Sequence, residues 1–491
     1  LNVLLLSMPD AFEHMPALTM RMPNGALTSL AGNVDDHHRV AVADLILAQG
    51  RVRETEAELV RELQPDVVGL SVMTFQRRTA FKVIDLVRSL RPEARIVVGG
   101  YDPSLAPEAY AADASGVDFV VRGEGEATFR ELLRALEGRA GLDVVAGLSY
   151  RDERGFHANP DRPVRRLEDG ELKPPRRDAR VLKGYTLLGR QVDVIETSRG
   201  CTFDCSFCSI IEMRGRNFHV FDFDRVLDDI RDARAHGATA LFIVDDNITL
   251  NVKRFEALCR AIVDAGLNTI DYTVQAMTSA IANAEESLAP LMRKAGFRYV
   301  FLGIENILDE DLGFLKASAK NERREAGRKT GNATVQAIEA LHRNGMYVVG
   351  GMIVGNPDDT PEKVEANLQF ARRYVDWPYI QHPTPYPRTP MTKELAERGL
   401  IINDRLEEYD GTTAVVRTEG MSAEEIEFLR WRRERWMKVR HFPAAARHSP
   451  GFVLRHGPAM FAHTFRGSTW KSALGLESER AVFNRYREMR K

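Results

Sequence analysis

Three of the chain's four cysteines, Cys201, Cys205 and Cys208, fall within eight residues. Their C-x3-C-x2-C spacing sets three soft donors on one loop, and thiolate sulfur is matched to iron, so the three can hold three irons of a 4Fe-4S cluster. No fourth cysteine is near in sequence. One iron then keeps an open coordination position, which binds a ligand chemically as well as moving electrons. A structural zinc site normally wants four ligands in paired C-x2-C knuckles; here a second knuckle is missing, and His219 is the only nearby histidine. A redox pair of Cys205 and Cys208 would leave Cys201 unexplained. Cys259 lies in a helical pattern and reads as a buried small hydrophobe.

The cysteine loop follows a candidate strand, Val192–Thr197, the first of six. The others are Ala240–Val244, Ile270–Gln275, Tyr299–Gly303, Tyr347–Val354 and Tyr379–His382. Helical patterns separate them at Phe223–Ala235, Arg254–Ala265, Glu286–Lys294, Ala333–Arg343 and Pro361–Tyr374. Six strand–helix repeats predict a full or partial β/α barrel with its chemistry at the strands' carboxyl ends. Polar residues stand at those ends: Asp245 and Asp246 after the second strand, Gln275 on the third, Glu305 after the fourth. Alone, each carboxylate reads as a solvated loop residue, and Asp245 or Asp246 as a helix cap. Their shared position at strand ends supports a binding role.

The first part of the chain alternates in the same way, with strands expected at Asn2–Ser7, Arg39–Ala43, Asp66–Val72, Arg95–Val98 and Asp118–Val121. Helical patterns cover Thr55–Leu63, Arg77–Leu90 and Ala127–Leu136. Near-continuous apolar strands between one-sided helices predict a doubly wound, Rossmann-like parallel sheet covered on both faces. Ligands of such sheets sit beyond the carboxyl ends, at a switch point. Glycine clusters fall there: Gly69 and Ser71, then Gly99 and Gly100, then Gly123, Glu124 and Gly125. One cluster alone reads as a tight turn; three on one edge point to a flat cofactor site. His37 and His38 precede a strand and are expected to face solvent.

The chain is thus expected to be α/β, in four parts: a Rossmann-like domain (1–141), a Pro- and Gly-containing connector (142–191), a partial (β/α)6 barrel (192–390) and a helical C-terminal cap (391–491) containing Trp431, Trp436 and Trp470. Apolar residues make up 44% and charged residues 28%, which excludes a disordered or membrane-embedded chain. Lys+Arg 68 against Asp+Glu 70 argues against a dedicated nucleic-acid binder. No run of about 18 apolar residues exists, so no membrane span is expected. The opening residues lack a basic n-region and a small-residue cleavage site, so a secretory signal is not expected and a cytoplasmic location is.

The C-x3-C-x2-C loop, with aromatic Phe207 just before the last cysteine, resembles the radical S-adenosylmethionine (SAM) superfamily. The first domain, through Val67–Ser71, Ile96–Gly100 and Asp118–Glu126, resembles the cobalamin-binding domain that precedes the barrel in one class of that superfamily. Together the resemblances cover about residues 1–390. They imply a 4Fe-4S cluster on Cys201, Cys205 and Cys208, with SAM on the open iron. They place Phe207, Asp245, Asp246, Gln275, Glu305 and Ile353 at SAM, and Gly69, Ser71, Gly99, Gly100, Gly123, Glu124 and Gly125 at cobalamin. The implied reaction methylates an unactivated sp3 carbon of a small-molecule substrate, such as a hydrophobic compound or a natural product, through a 5′-deoxyadenosyl radical and methylcobalamin. Reduced flavodoxin or ferredoxin is the implied electron donor. The same architecture also serves radical ring formation or ring contraction without net methyl transfer, and an iron–sulfur electron-transfer module is the non-enzymatic reading. One departure stands out: the loop with His14 lacks the Asp-x-His-x-x-Gly pattern by which many cobalamin proteins ligate cobalt.

Overall fold

The computed structural model describes residues 1–10, 20–164, 166–167, 170–284, 286–325, 328–448, 450–465 and 470–489. His14 lies outside them.

The first domain follows from apolar strands between one-sided helices. In order come β1 (Asn2–Ser7), β2 (Met20–Arg21), α1 (Gly25–Asn33), β3 (Arg39–Asp44), α2 (Val52–Leu63), β4 (Val67–Ser71), α3 (Arg77–Leu90), β5 (Arg95–Gly99), α4 (Tyr101–Leu105), β6 (Phe119–Val121) and α5 (Gly125–Leu136). In α3 the residues Ala80, Val83, Ile84 and Val87 are buried, the repeat of one helical stripe. The sheet order is β3-β1-β4-β5-β6, all parallel, so the direction of winding reverses between β1 and β4. The crevice of this switch point opens beside Ser7 and Ser71.

The segment read as a connector contributes to this sheet. Strands β7 (Leu148–Asp152) and β8 (Gly155–Ala158) extend it as an antiparallel hairpin on β6. Leu148, Ser149 and Tyr150 are buried, and they shield what would otherwise be an open edge at β6. Farther on, the buried guanidinium of Arg177 bonds Asp193 at 2.9 Å, Asp229 at 2.6 Å and Asp232 at 2.7 Å, tying the segment to the second domain. His38 also departs from expectation. It is buried, because the pairing of Asn2 with Arg39 draws the start of β3 under the chain, and its ring lies 4.0 Å from that of His37.

The second domain comprises β9 (Thr186–Leu187), β10 (Arg190–Ile195), β11 (Ser198–Arg199), α6 (Ile210–Arg214), β12 (His219–Val220), α7 (Phe223–Ala235), β13 (Ala240–Ile243), α8 (Val252–Asp264), β14 (Asp271–Met277), α9 (Thr278–Asn283), α10 (Leu288–Lys294), β15 (Phe297–Glu305), α11 (Asp309–Phe314), β16 (Glu322–Glu325), β17 (Arg328–Asn332), α12 (Thr334–Arg343), β18 (Tyr347–Ile353), α13 (Pro361–Tyr374) and β19 (Trp377–Gln381). Six strands, β10-β13-β14-β15-β18-β19, run parallel in a curled, partial barrel. Short antiparallel β9 and β2 extend it, so a strand from the first 21 residues is part of the second sheet. Its core joins strand residues such as Ile243, Val274, Val300 and Val348 to helix residues such as Ile230, Leu258 and Leu341.

The C-terminal region is helical: α14 (Pro390–Glu397), α15 (Ala423–His448), α16 (Pro450–Thr464), α17 (Trp470–Ala473) and α18 (Glu479–Glu488). The strands' carboxyl ends are covered by its first part. Met391, Leu395, Leu400, Tyr409, Val415 and Val416 pack with Ile353 and Leu315. Helix α15 packs along α13 and β19 instead, and its last residue, His448, lies against Tyr347 at the amino end of β18.

Candidate active site

The cysteine loop is held on three sides. Before it, Thr197 and Ser198 are fixed by Asp245, whose Oδ1 accepts from the Thr197 N–H at 2.6 Å. Its Oδ2 accepts from the hydroxyls of Thr197 at 2.5 Å and Ser198 at 2.6 Å. Burial pushes the Asp245 carboxyl up to about 6. Within the loop, the Ser206 N–H donates to the Leu315 carbonyl at 3.0 Å, and its hydroxyl donates to the Phe314 carbonyl at 2.8 Å. The Met391 N–H donates to the Ser206 carbonyl at 2.9 Å, so α14 is anchored on the loop. Gly200 turns the chain at φ +89°, where a Cβ would meet the Asn217 carbonyl oxygen at 2.5 Å; no other residue fits.

Cys205 is buried and Cys201 and Cys208 are half-buried, and all three are free thiols. Burial raises Cys205 to about 12 and Cys208 to about 11, so metal binding must displace their protons. Among the described residues, the group of three potential ligand atoms within 4.8 Å of one another is Asp35, His37 and His38. The cysteine sulfurs are not among that group. The donor set, three thiols and no carboxylate or imidazole, fits iron–sulfur chemistry. The Asn247 side-chain amide sits 3.7 Å from the Cys201 sulfur.

Around the loop the structure assembles most of the residues expected at SAM. Phe207 and Ile353 pack in one apolar cluster. Glu305 ends β15 at a register shift, in the left-handed region at φ +60°. Its carboxylate pairs with Lys320, whose ammonium lies 5.9 Å from the centre of the Phe207 ring. Burial alone would lower Lys320; Glu305 and the neighbouring thiols outweigh it and hold the ammonium above its ordinary value. Asp246 accepts from the Gly200 N–H at 2.7 Å and faces Arg214 at 3.5 Å. Gln275 is half-buried within β14. Asp245, by contrast, has both oxygens committed to the strand before the loop. It is not a helix cap either, since Asn251 caps α8.

The first domain brings its glycine edge against this loop. Ser71 accepts from the Asn24 side-chain amide at 3.0 Å beside the switch point, and Ser7 donates to Asp44 at 2.6 Å. Gly99 ends β5, and Gly100 turns at φ +104° into α4, which packs against α6. Tyr101 there lies within electrostatic reach of Asp246, Arg214 and Cys208, and burial raises its hydroxyl. A Cβ on Gly123 would meet a single neighbour, Met213 O at 3.8 Å, so space adjoins it. This open edge fits a flat macrocycle. Gly69 is different: it lies inside β4, where a Cβ would strike Leu5 at 2.7 Å.

Buried charges that carry little sequence signal join the two edges. Arg199 bonds Glu126 and Glu196, each at 2.7 Å, and faces Glu124 at 3.7 Å. Arg214 faces Glu124 at 3.8 Å. Adjacency of Arg199 to Gly200 and Cys201 was the available signal; nothing in sequence marks Arg214 or Lys320.

Residues 18–133 match the B12 binding domain family, and residues 195–371 match the Radical SAM superfamily. The chain joins a B12 binding domain to a radical SAM domain. An uncharacterised methyltransferase of Pyrococcus horikoshii is 28% identical over 409 residues, covering 83% of this chain and 86% of that one. The anaerobic magnesium-protoporphyrin IX monomethyl ester cyclase of Rubrivivax gelatinosus is 26% identical over 400 residues, 78% of this chain and 68% of its own. The fold matches the radical SAM methyltransferase TsrM of Kitasatospora setae, solved with cobalamin and a 4Fe-4S cluster, at a TM-score of 0.65. That match has 23% identity and covers 87% of this chain and 84% of TsrM.

Proposed function

We propose that this radical SAM enzyme methylates an unactivated sp3 carbon of a small molecule held between its two strand edges. The observation that carries the reading is the meeting of those edges, with α4 of the first domain packed on α6 of the second and Arg199 bonded to Glu126 at 2.7 Å. The name of the archaeal relative supports net methyl transfer. When bound, the cofactors supply hydrogen-atom abstraction and a methyl donor, which such a carbon requires.

The chain supplies position and dryness. Cys201, Cys205 and Cys208 hold the cluster. Glu305, Asp246, Gln275, Phe207 and Ile353 contact SAM, and Lys320 offers an ammonium to its carboxylate. Asp245 is a positioning residue that fixes the approach to the loop. Ser71, Gly99, Gly100, Gly123, Glu124 and Gly125 line the cobalamin edge, while Gly69 makes room for core packing. Met391–Met421 excludes water from the carboxyl ends, and the sixth-strand loop from Tyr379 to Pro387 offers a substrate surface. The working division of the chain is 1–141, 142–191, 192–390 and 391–491, with β7 and β8 packed on the first unit. Reduced flavodoxin or ferredoxin supplies electrons, and the enzyme works in the cytoplasm.

Anaerobic turnover with methyl-deuterated SAM and candidate substrates tests this reading. Product bearing the label, formed with 5′-deoxyadenosine, supports it. A ring-closed, unlabelled product favours the cyclase reading that the Rubrivivax relative raises. Absence of 5′-deoxyadenosine with every substrate would favour an electron-transfer module.

A further inference from the structure

The charge of this chain is unevenly placed. Overall it carries 68 Lys+Arg and 70 Asp+Glu, but between Arg430 and Leu476 ten Lys and Arg residues stand against a single acidic one, Glu434. The same stretch exposes large apolar side chains. Trp436, Val439 and Phe442 follow one another at intervals of three along α15, and all are exposed. Leu454 and Phe461, seven apart on one stripe of α16, are 83% and 64% exposed. Scattered apolar residues are ordinary on a surface; a run of them on two packed helices marks an interaction site.

Three of the arginines between them lack an acidic partner among the described residues. Most of the chain's half-buried and exposed arginines are paired, as Arg433 is with Glu365 and Arg480 with Glu425. Among the described residues, no carboxylate pairs with Arg440, Arg447 or Arg455, and all three are exposed. Helix α18 covers only the first half of α15, through Val482 and Phe483 on Phe428 and Trp431. The second half ends beside Tyr347, at the amino ends of the barrel strands and so away from the cysteine loop. No helix among the described residues is long and apolar enough to cross a membrane.

We infer that the exposed face of α15 and α16 is a docking surface for an anionic lipid bilayer. Aromatic and branched side chains enter the headgroup–acyl boundary while unpaired arginines meet the phosphates; neither feature alone gives stable binding. Charge complementarity selects this occupant: a second copy would bring the same positive charge to the same face, and a neutral apolar partner would leave the three guanidinium groups unpaired. The position at the barrel's amino ends makes the surface a tether that leaves the strand-end site open. The inference stands apart from the identity of the methyl acceptor.

Vesicle flotation tests it with the anaerobically purified full chain. Phosphatidylcholine vesicles containing phosphatidylglycerol should carry the protein upward, pure phosphatidylcholine should not, and high salt should release it. Arg440→Glu/Arg447→Glu/Arg455→Glu should weaken partitioning by at least on the order of a hundredfold. Leu454→Ser/Phe461→Ser should weaken it as well. Both changes fall on exposed residues, and unaltered iron content and circular dichroism check that the fold is kept. Failure to float with anionic vesicles overturns the inference. So does flotation indifferent to salt and to both variants, or light scattering that shows a dimer dissociated by the Leu454 and Phe461 changes.

Discussion

Nη2 of Arg199 donates to Oε1 of Glu126 at 2.7 Å, linking the residue two before the first cluster cysteine to the first turn of a helix in the other domain. Burial alone would raise the Glu126 carboxyl; Arg199 and Ser29 outweigh it and hold it down at about 2. The cobalamin edge and the cysteine loop are thereby aligned by a buried ion pair.

Glu126→Gln leaves the Arg199 charge buried with less compensation, at a cost of about 3 kcal/mol. Urea unfolding near neutral pH should show that loss. Because the folded carboxyl is depressed, the wild-type advantage is present above the ordinary 4.5 and is lost as pH falls through about 2. The gap between wild type and variant should therefore narrow in acid.

Lys320 links Glu305 to the Phe207 ring beside the cysteines. Lys320→Met removes a cation next to the cluster. SAM affinity, measured by isothermal titration of the reconstituted protein, should fall on the order of tenfold. An EPR-monitored redox titration should show a more negative cluster potential, since the reduced form loses a compensating charge.

A second buried charge centre predicts a pH effect of opposite sign. The Asp359 carboxylate accepts from the N–H groups of Gly355 at 2.7 Å and Asn356 at 3.0 Å. Burial, then the neighbouring Asp311, raises it to about 7. A raised carboxyl favours the fold while protonated, so stability should decline as pH rises from the ordinary 3.8 to about 7. Asp359→Asn keeps both acceptor contacts without the charge. Its urea midpoint should vary less over that range and exceed wild type at the alkaline end.

At Gly100, φ is +104° and a Cβ would lie 2.9 Å from the Val72 carbonyl oxygen. Gly100→Ala should cost about 2 kcal/mol through backbone strain. Cobalamin content after reconstitution should drop while iron content holds, because the strain falls at the first domain's edge.

Strong periodicity made much of this fold legible. Asn2–Ser7, Arg77–Leu90, Phe223–Ala235 and Pro361–Tyr374 have the bounds their apolar spacing predicts. Helix α1 escaped notice because GALTSLAGN is small and apolar on several sides, with Leu27, Ala31 and Asn33 all buried. The β16–β17 hairpin carries charge along its length and gives no alternation to read. The cysteines were visible from spacing alone. Arg199 was marked only by its place beside Gly200 and Cys201, and Arg214 and Lys320 were not marked at all, since each acquires its role from a partner brought close only by folding.

SAM binding at the cluster requires one iron to remain free of a protein ligand. EPR of the reduced, reconstituted protein, titrated with SAM, tests this directly. The expected result is a 4Fe-4S signal that changes shape as SAM binds and is absent when Cys201, Cys205 and Cys208 are replaced by Ala. A cluster signal unmoved by saturating SAM, or a purified chain holding zinc at these cysteines, would contradict it.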